Sequence, residues 1–110
     1  MDWEKEIDFA ITVCEINGTI SYMNDKAIKT FENDGGAKLI GTNVLNCHPE
    51  PSRTQLAGML ENQTKNVYTI EKNGRKKLIY QTPYYENNVY MGFVEFSMEI
   101  PEVMENFIRG

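Results

Sequence analysis

The sequence has no long apolar run. No stretch of its 110 residues approaches the roughly 20 consecutive apolar residues of a membrane-spanning helix. The first residues, 1–6, are not basic and are not followed by an apolar run, unlike a secretory leader. We therefore predict a cytoplasmic protein with no membrane partner.

Cysteine and histidine are scarce. Only Cys14, Cys47 and His48 occur, whereas a structural zinc site usually needs four ligands, so we expect no metal site. In a reducing compartment we expect both thiols to be free. Adjacent side chains rarely point at each other, which argues against nucleophilic catalysis by Cys47 and His48. We predict no catalytic residue and a protein that is not an enzyme.

Positive charge is also in short supply. The 16 acidic and 11 basic residues leave a net charge of −5, and an acidic domain repels phosphate backbones, so we expect no nucleic-acid partner. Hydrophobic residues make up 41% and charged residues 25%, the ordinary balance of a globular domain. The length fits a single domain over residues 1–110 with one core.

Two Asn-Gly pairs are the strongest local signals in the chain. Each lies between two runs of β-forming residues, the pattern typical of a β-hairpin with a type I′ turn. A third turn is expected at residues 86–88. The five predicted strands cover residues 10–16, 19–23, 67–71, 77–85 and 90–100.

The last strand alternates strictly. Its more apolar face is predicted to turn inward and carries Tyr90, Gly92, Val94, Phe96, Met98 and Ile100. The opposite face carries Phe93, Glu95, Ser97 and Glu99, and we expect its carboxylates to be solvated. We place Tyr68, Tyr80 and Tyr90 on the inner face of the sheet.

Helices are predicted before, between and after the strands. Residues 1–9 suit a short amphipathic helix, and Asn24 is a suitable N-cap for a second one that ends at Gly35-Gly36. A longer helix with Leu56 and Met59 on its apolar stripe ends near Gln63. Apolar residues at helical spacing predict a terminal helix over residues 101–110. The fold class is therefore α+β.

Three segments resemble the PAS domain (sensory box) family. The hairpin over residues 13–24 resembles its opening pattern, residues 39–43 (LIGTN) resemble its "I-G-x-N" step, and His48-Pro49-Glu50 with Arg53 resembles the entry to its longer helix. The resemblance implies a five-stranded antiparallel sheet, with helices inserted after the second strand that cover one face. N- and C-terminal helices would complete the fold.

The resemblance also implies a function. PAS modules sense small molecules, light or redox state, or mediate protein contacts, and a ligand usually lies between the sheet and the helices. Their signal usually leaves through a terminal helix, often at a dimer interface. We therefore expect a homodimer or a signalling protein bound in trans. Whether the chain acts alone or within a larger protein stays open.

Seven residues are candidates for the pocket. Aromatic side chains, phenolic groups and a glycine that leaves space for a ligand suit a binding site, although an ordinary core uses the same residue types. The candidates are His48, Leu56, Met59, Tyr68, Tyr80, Tyr90 and Gly92.

No cofactor is expected, and two alternatives remain open. One is a haem sensor with His48 as ligand, although one well-known haem-binding type carries that ligand within the longer helix, where residues 53–63 contain no histidine. Flavin is disfavoured, because the light-sensing branch has cysteine directly after Gly-x-Asn and Val44 stands there. The other alternative is a small isomerase with a buried carboxylate, which would need Glu71 or Glu95 inside a cavity.

Overall fold

The five predicted strands form one antiparallel sheet in the computed structural model, which describes residues 2–110. The spatial order of the strands is β2-β1-β5-β4-β3. Strand bounds agree with the sequence prediction to within a few residues. The strands are β1 (Ala10–Glu15), β2 (Ile20–Met23), β3 (Asn66–Lys72), β4 (Arg75–Glu86) and β5 (Val89–Ile100).

The hairpin turns follow from residues that tolerate positive φ. Asn73 and Gly74 join β3 to β4 with φ values of 54° and 74°, the signs that a type I′ turn requires at both central positions. Asn87 and Asn88 join β4 to β5 with φ values of 50° and 68°. These turns set the pairing of β4 on β3 and on β5.

Helices connect β2 to β3 and lie against one face of the sheet, and one short helix precedes β1. The α-helices are α1 (Trp3–Glu6), α2 (Asp25–Thr30) and α3 (Ser52–Asn62), and 3₁₀ turns span Glu32–Asp34, Gly36–Leu39 and Val44–Cys47. The predicted N-cap is confirmed, because the Asn24 side chain accepts a hydrogen bond from the Ala27 N–H. The predicted end of α3 is confirmed as well, since Gln63 adopts a left-handed φ of 56°.

The predicted C-terminal helix is wrong. Residues 101–110 have no regular secondary structure and are exposed. A helix of ten residues is marginal in water unless its apolar stripe is packed against another surface, and this stripe is exposed. Val103, Met104, Phe107 and Ile108 are therefore left between 57% and 96% exposed.

No helix within residues 2–110 is both long and apolar enough to cross a membrane.

The core lies in two separate clusters on the helix-facing side of the sheet. The first cluster packs α2 on the β1–β2 hairpin and consists of Ala10, Ile20, Met23 and Ala27. The second packs the end of α3 on β1 and β5 and consists of Cys14, Met59, Leu60 and Phe93. The sheet surface between the two clusters is the region of interest for function.

Candidate functional site

A row of four polar side chains crosses the inner face of the sheet. Thr12 on β1 pairs with Glu95 on β5, Glu95 pairs with Gln81 on β4, and Gln81 pairs with Asn66 on β3. Directly paired residues of neighbouring strands point to the same face. The four residues therefore form one line across four strands, which we call the polar row.

The polar row lies between apolar neighbours. Two residues along β1 and β5, Cys14 and Phe93 belong to the second core cluster, and in the other direction Ala10 belongs to the first. Because side chains two residues apart in a strand share a face, the row points to the same side as both clusters. The helix-facing surface is therefore apolar at both ends and polar in the middle.

Three adjoining cavities open above the polar row. Two have volumes of about 450 Å³, one between α3 and β3 and the other, beside the end of α2, between the sheet and the 3₁₀ turns. A small cavity of about 60 Å³ lies between them. His48 borders all three, and Glu95 borders the small cavity and the one beside α2. Together they form a cleft between sheet and helices.

Glu95 is the charged centre of this cleft. Its side chain is partly buried, and its Oε1 accepts a hydrogen bond of 3.2 Å from Gln81 Nε2. Burial raises the pKa of the Glu95 carboxyl, while the Gln81 hydrogen bond and the nearby His48 act in the opposite direction. The carboxyl thus holds its proton more tightly than an exposed glutamate does.

His48 is oriented by the backbone of the preceding 3₁₀ turn. Its Nδ1 lies 2.7 Å from the carbonyl oxygen of Val44. A carbonyl oxygen only accepts, so Nδ1 carries the hydrogen and the neutral ring keeps its lone pair on Nε2. Arg53 Nε donates to the carbonyls of Leu45 and His48, which ties this turn to the start of α3.

Four of the seven predicted pocket residues border the cleft. His48, Leu56, Met59 and Tyr68 all border the larger cavity under α3 and β3. Burial and the charge of Glu95 both raise the pKa of the Tyr68 phenol. The sequence thus identified this side of the cleft through α3 and β3.

The other three predicted pocket residues have different roles. Tyr80 pairs with Phe96 on the outer face of the sheet. Tyr90 faces α3, but its hydroxyl donates a hydrogen bond of 2.7 Å to the Leu60 carbonyl, which anchors the end of that helix. Gly92 leaves no space for a ligand, because the backbone of β1 already occupies it: a Cβ would lie 2.0 Å from the Cys14 carbonyl oxygen.

The predicted inward face of β5 is also wrong. The alternation itself is confirmed, but Phe93 and Glu95 face the helices, whereas Phe96 packs against Phe9 on the opposite face. Both faces of β5 carry large apolar residues, so a comparison of their apolar content predicted the wrong face to be the inner one. A signal was available in Gly92, since a glycine inside a strand often marks a bulge. The strand register indeed shifts between Tyr84 and Tyr85, opposite Gly92 and Tyr90.

Because the wrong face of β5 was predicted to turn inward, the sequence analysis did not identify the polar row. Glu95, expected in solvent, borders the cleft, and Thr12, Gln81 and Asn66 were not singled out. Glu71, the other glutamate considered for a cavity, lies on the exposed part of β3. A polar residue within each of four strands is unremarkable by itself, and only the strand pairing brings the four together.

Replacing Glu95 by glutamine should stabilise the protein in a pH-dependent way. The folded-state pKa lies above the unfolded value of about 4.3, so the free energy of unfolding falls as pH rises through the raised pKa. Glu95→Gln keeps the Oε1 acceptor and does not titrate. We expect it to match the wild type below about pH 4 and to exceed it by about 1–3 kcal/mol at higher pH.

Urea denaturation at a series of pH values measures this difference. The matched control is Glu99→Gln on the exposed part of β5, where Arg75 Nη1 lies 3.0 Å from a carboxylate oxygen. An exposed ion pair contributes at most about 1 kcal/mol, so this control should differ little from the wild type. A constant difference between Glu95→Gln and wild type across the pH series would contradict the prediction.

The cleft does not suit haem. In metal sites, one ring nitrogen of a histidine often donates to a backbone carbonyl while the other binds the metal. The Nδ1 of His48 makes such a contact with a carbonyl oxygen. However, Glu95 and Gln81 lie in the wall beside His48 among apolar residues such as Leu56, and a largely apolar porphyrin would have to cover this carboxyl and amide. None of the described residues that border the three cavities is lysine or arginine, so nothing there pairs with haem carboxylates. A Soret band that disappears in His48→Ala would contradict this conclusion.

The residues that a flavin adduct or a metal cluster would need are not brought together in the described part of the chain. Val44, which borders two cavities, stands where the light-sensing branch has its reactive cysteine. Cys47 is exposed and Cys14 is buried, and both are free thiols. Within residues 2–110, no group of three or more His, Cys, Asp or Glu side chains is arranged to hold a metal ion.

Solved structures share this architecture at low sequence identity. The Aer2 receptor from Vibrio cholerae, described as a dual PAS-heme oxygen sensor, matches with TM-score 0.62 and 13% identity over 84% of this chain and 95% of its own. The PAS domain of the histidine kinase ThkA matches with TM-score 0.64 and 18% identity over 84% and 99%. A sensory box histidine kinase from Vibrio cholerae matches with TM-score 0.61 and 14% identity over 90% and 86%.

No family model and no curated protein matches the sequence. At these identities the structural likeness concerns the fold, since one fold hosts many functions. The five-stranded antiparallel sheet of order β2-β1-β5-β4-β3, with its helices inserted after β2, is shared with the PAS domains named above. The chain therefore has the fold of a PAS domain.

Proposed function

We propose that the chain is a cytoplasmic signal-sensing module that binds a small molecule in the cleft between the sheet and α3. The observation that carries this proposal is the polar row on a face that packs against helices. Within residues 2–110 the row has one internal hydrogen bond, from Gln81 to Glu95, and no fully buried side-chain nitrogen or oxygen lacks a partner. The remaining polar groups of the row are therefore accessible from the cleft, where a ligand can pair with them. Local violations of core patterning are typical of functional sites.

The dimensions of the cleft support the same proposal. A cavity of about 450 Å³ is within the range that holds small-molecule ligands. Its walls combine apolar side chains of α3, such as Leu56 and Met59, with polar groups of the sheet, such as Asn66 and Gln81. The solved structures with this fold include proteins described as sensors, among them an oxygen sensor and a sensor histidine kinase.

A cavity-filling variant tests whether the cleft is a ligand site. Leu56→Trp places an indole in the cleft, and the matched control Glu61→Trp adds the same ring to an exposed position of α3. A library of soluble metabolites is screened for compounds that raise the melting temperature. We expect compounds that stabilise the wild type and Glu61→Trp but not Leu56→Trp, because a ligand stabilises only the state that binds it. No stabilising compound, or equal stabilisation of all three proteins, would contradict the proposal.

We also propose that the signal leaves through the C-terminal segment at a homodimer interface or on a signalling partner in trans. Residues 101–110 keep four large apolar side chains in solvent, Ile108 at 96% exposure. Such residues gain stability when a second chain covers them. The molar mass of the full chain should exceed that of one chain, and removal of residues 101–110 should reduce it. A monomer in both forms would contradict the homodimer.

The position of Glu95 favours a second candidate function, a small isomerase. A partly buried carboxyl with raised pKa that borders a cleft is suited to move a proton, which supports this alternative. The test is deuterium exchange: small ketones in D₂O are followed by proton NMR with the wild type and with Glu95→Gln. Faster exchange of α-protons with the wild type alone would favour the enzyme, and identical rates would exclude this role for Glu95.

A further inference from the structure

The hydrogen-bond donors of the cleft are partly used by the protein itself. One N–H of Gln81 is donated to Glu95, and the Nδ1–H of His48 is directed at the Val44 carbonyl. Around Glu95, acceptors remain for a ligand at its second carboxylate oxygen, at Oε1 of Gln81 and, when the ring is neutral, at Nε2 of His48. The polar side chains of Ser52, Gln55, Asn66 and Tyr68 border the larger cavity farther from this centre. A ligand that satisfies the acceptors around Glu95 must itself bring hydrogen-bond donors.

The charges around the cleft have one sign. Glu95 and Asp34 border the cavity beside α2, and none of the described residues that border the three cavities is lysine or arginine. The other titratable groups near Glu95 are His48 in the 3₁₀ turn, Cys14 on β1 and Tyr68 on β3. Thiol and phenol are neutral in their protonated forms, so Glu95 and Asp34 supply the fixed charge.

We infer that the cleft binds a small organic cation rich in N–H donors, such as an amine or amidine, which pairs with Glu95 and the acceptors of Gln81 and His48. This inference rests on the proposed ligand-binding function and adds the chemical class of the ligand. A charge-assisted hydrogen bond to a partly desolvated carboxylate is stronger than a neutral one. An anion would instead face Glu95 and Asp34 without a compensating positive charge.

Three probes of nearly the same shape separate charge from size. Benzamidinium is a cation, benzamide is neutral and benzoate is an anion, and each is titrated into the ¹⁵N-labelled full chain while amide shifts are followed. The experiment is run at about pH 8, well above the range of an ordinary carboxyl, because burial raises the pKa of Glu95 and its ionisation needs a higher pH. We expect benzamidinium to shift the amides of Thr12, Gln81 and Glu95 and to bind at least about tenfold more tightly than benzamide, with no benzoate binding.

Two variants assign the preference to a residue. Glu95→Gln should reduce benzamidinium affinity about tenfold, to the level of benzamide, and leave benzamide binding unchanged. Glu99→Gln removes a carboxylate from the exposed end of the same strand and should leave the affinities of all three probes unchanged.

The failures are distinguishable. If benzamide or benzoate binds the cleft as tightly as benzamidinium, the cation inference is overturned while the cleft remains a ligand site. If benzamidinium is preferred equally by Glu95→Gln, the assignment to Glu95 is overturned. If no probe shifts any amide of the cleft, the cation inference is overturned, and the stabilisation screen with Leu56→Trp decides separately whether the cleft is a ligand site.

Discussion

Replacing Gly92 by alanine should lower the free energy of unfolding by about 3–6 kcal/mol, through backbone strain and overpacking together. Gly92 has a φ of 148°, a conformation that L residues with a side chain rarely adopt. A Cβ there would lie 2.0 Å from the Cys14 carbonyl oxygen and 3.1 Å from the Glu15 Cα. Both are backbone atoms of β1, which pairs with strands on both sides, so neither can move away cheaply.

Two other glycines separate the sources of this cost. Gly74 has a φ of 74° and nothing within 4 Å of an added Cβ, so Gly74→Ala should cost only the strain, about 1–2 kcal/mol. Gly58 lies within α3, also with nothing within 4 Å, and Gly58→Ala should stabilise the protein by about 0.5–1 kcal/mol. Urea denaturation of the three variants measures the differences. A Gly92→Ala protein as stable as Gly74→Ala would show that the contact with β1 is not a constraint.

The second large effect is expected at Asn24, whose replacement by alanine should cost about 3–5 kcal/mol because four backbone groups lose their partner. Its Oδ1 accepts from the N–H groups of Ile11 and Ala27, both at 2.9 Å. Its Nδ2 donates to the carbonyls of Glu4 and Phe9, at 2.8 and 2.9 Å. This 1% exposed side chain therefore joins α1, the start of β1 and α2.

Two further substitutions resolve the contributions at Asn24. Asn24→Asp keeps the acceptor for both N–H groups but places a carboxylate oxygen against the two carbonyls. We expect a smaller loss in the free energy of unfolding than for Asn24→Ala at neutral pH. The loss should shrink at low pH, because a protonated carboxyl can donate to a carbonyl. Asn17→Ala removes one exposed hydrogen bond to the Thr19 N–H and should cost about 0.5–1.5 kcal/mol. Thermal and urea denaturation give the ranking. Equal losses for Asn24→Ala and Asn17→Ala would contradict the central role of Asn24.

Some features of the fold depend on chemistry that a few neighbouring residues contain. An Asn-Gly pair favours a hairpin turn, and both predicted hairpins are present. The type I′ geometry is confirmed at Asn73-Gly74, whereas at Asn17-Gly18 only Gly18 has positive φ, so the predicted type I′ turn is wrong there. The N-cap at Asn24 was predictable for the same reason, since the hydrogen bond to Ala27 spans three residues. The long-range bonds from Asn24 to Glu4 and Phe9 were not, because nothing local relates those residues.

The candidate site was only half predictable. The residues contributed by α3, Leu56 and Met59, follow from helical periodicity. The polar row depends on which face of β5 turns inward, and a strand with apolar residues on both faces does not decide that by composition. The terminal helix failed for a related reason: an apolar stripe such as Val103 and Phe107 predicts a helix only where another surface covers it.

The sequence by itself therefore determined the strands, the positions of their hairpins, the start of α2 and the absence of a long apolar run, because short-range hydrogen bonding and backbone preferences act within a few residues. The tertiary structure alone decided that Thr12, Glu95, Gln81 and Asn66 form one row, that Gly92 lies against β1, and that residues 101–110 remain uncovered. These outcomes depend on strand pairing and packing between residues far apart in the chain. The buried carboxyl on which both candidate functions rest belongs to this second group.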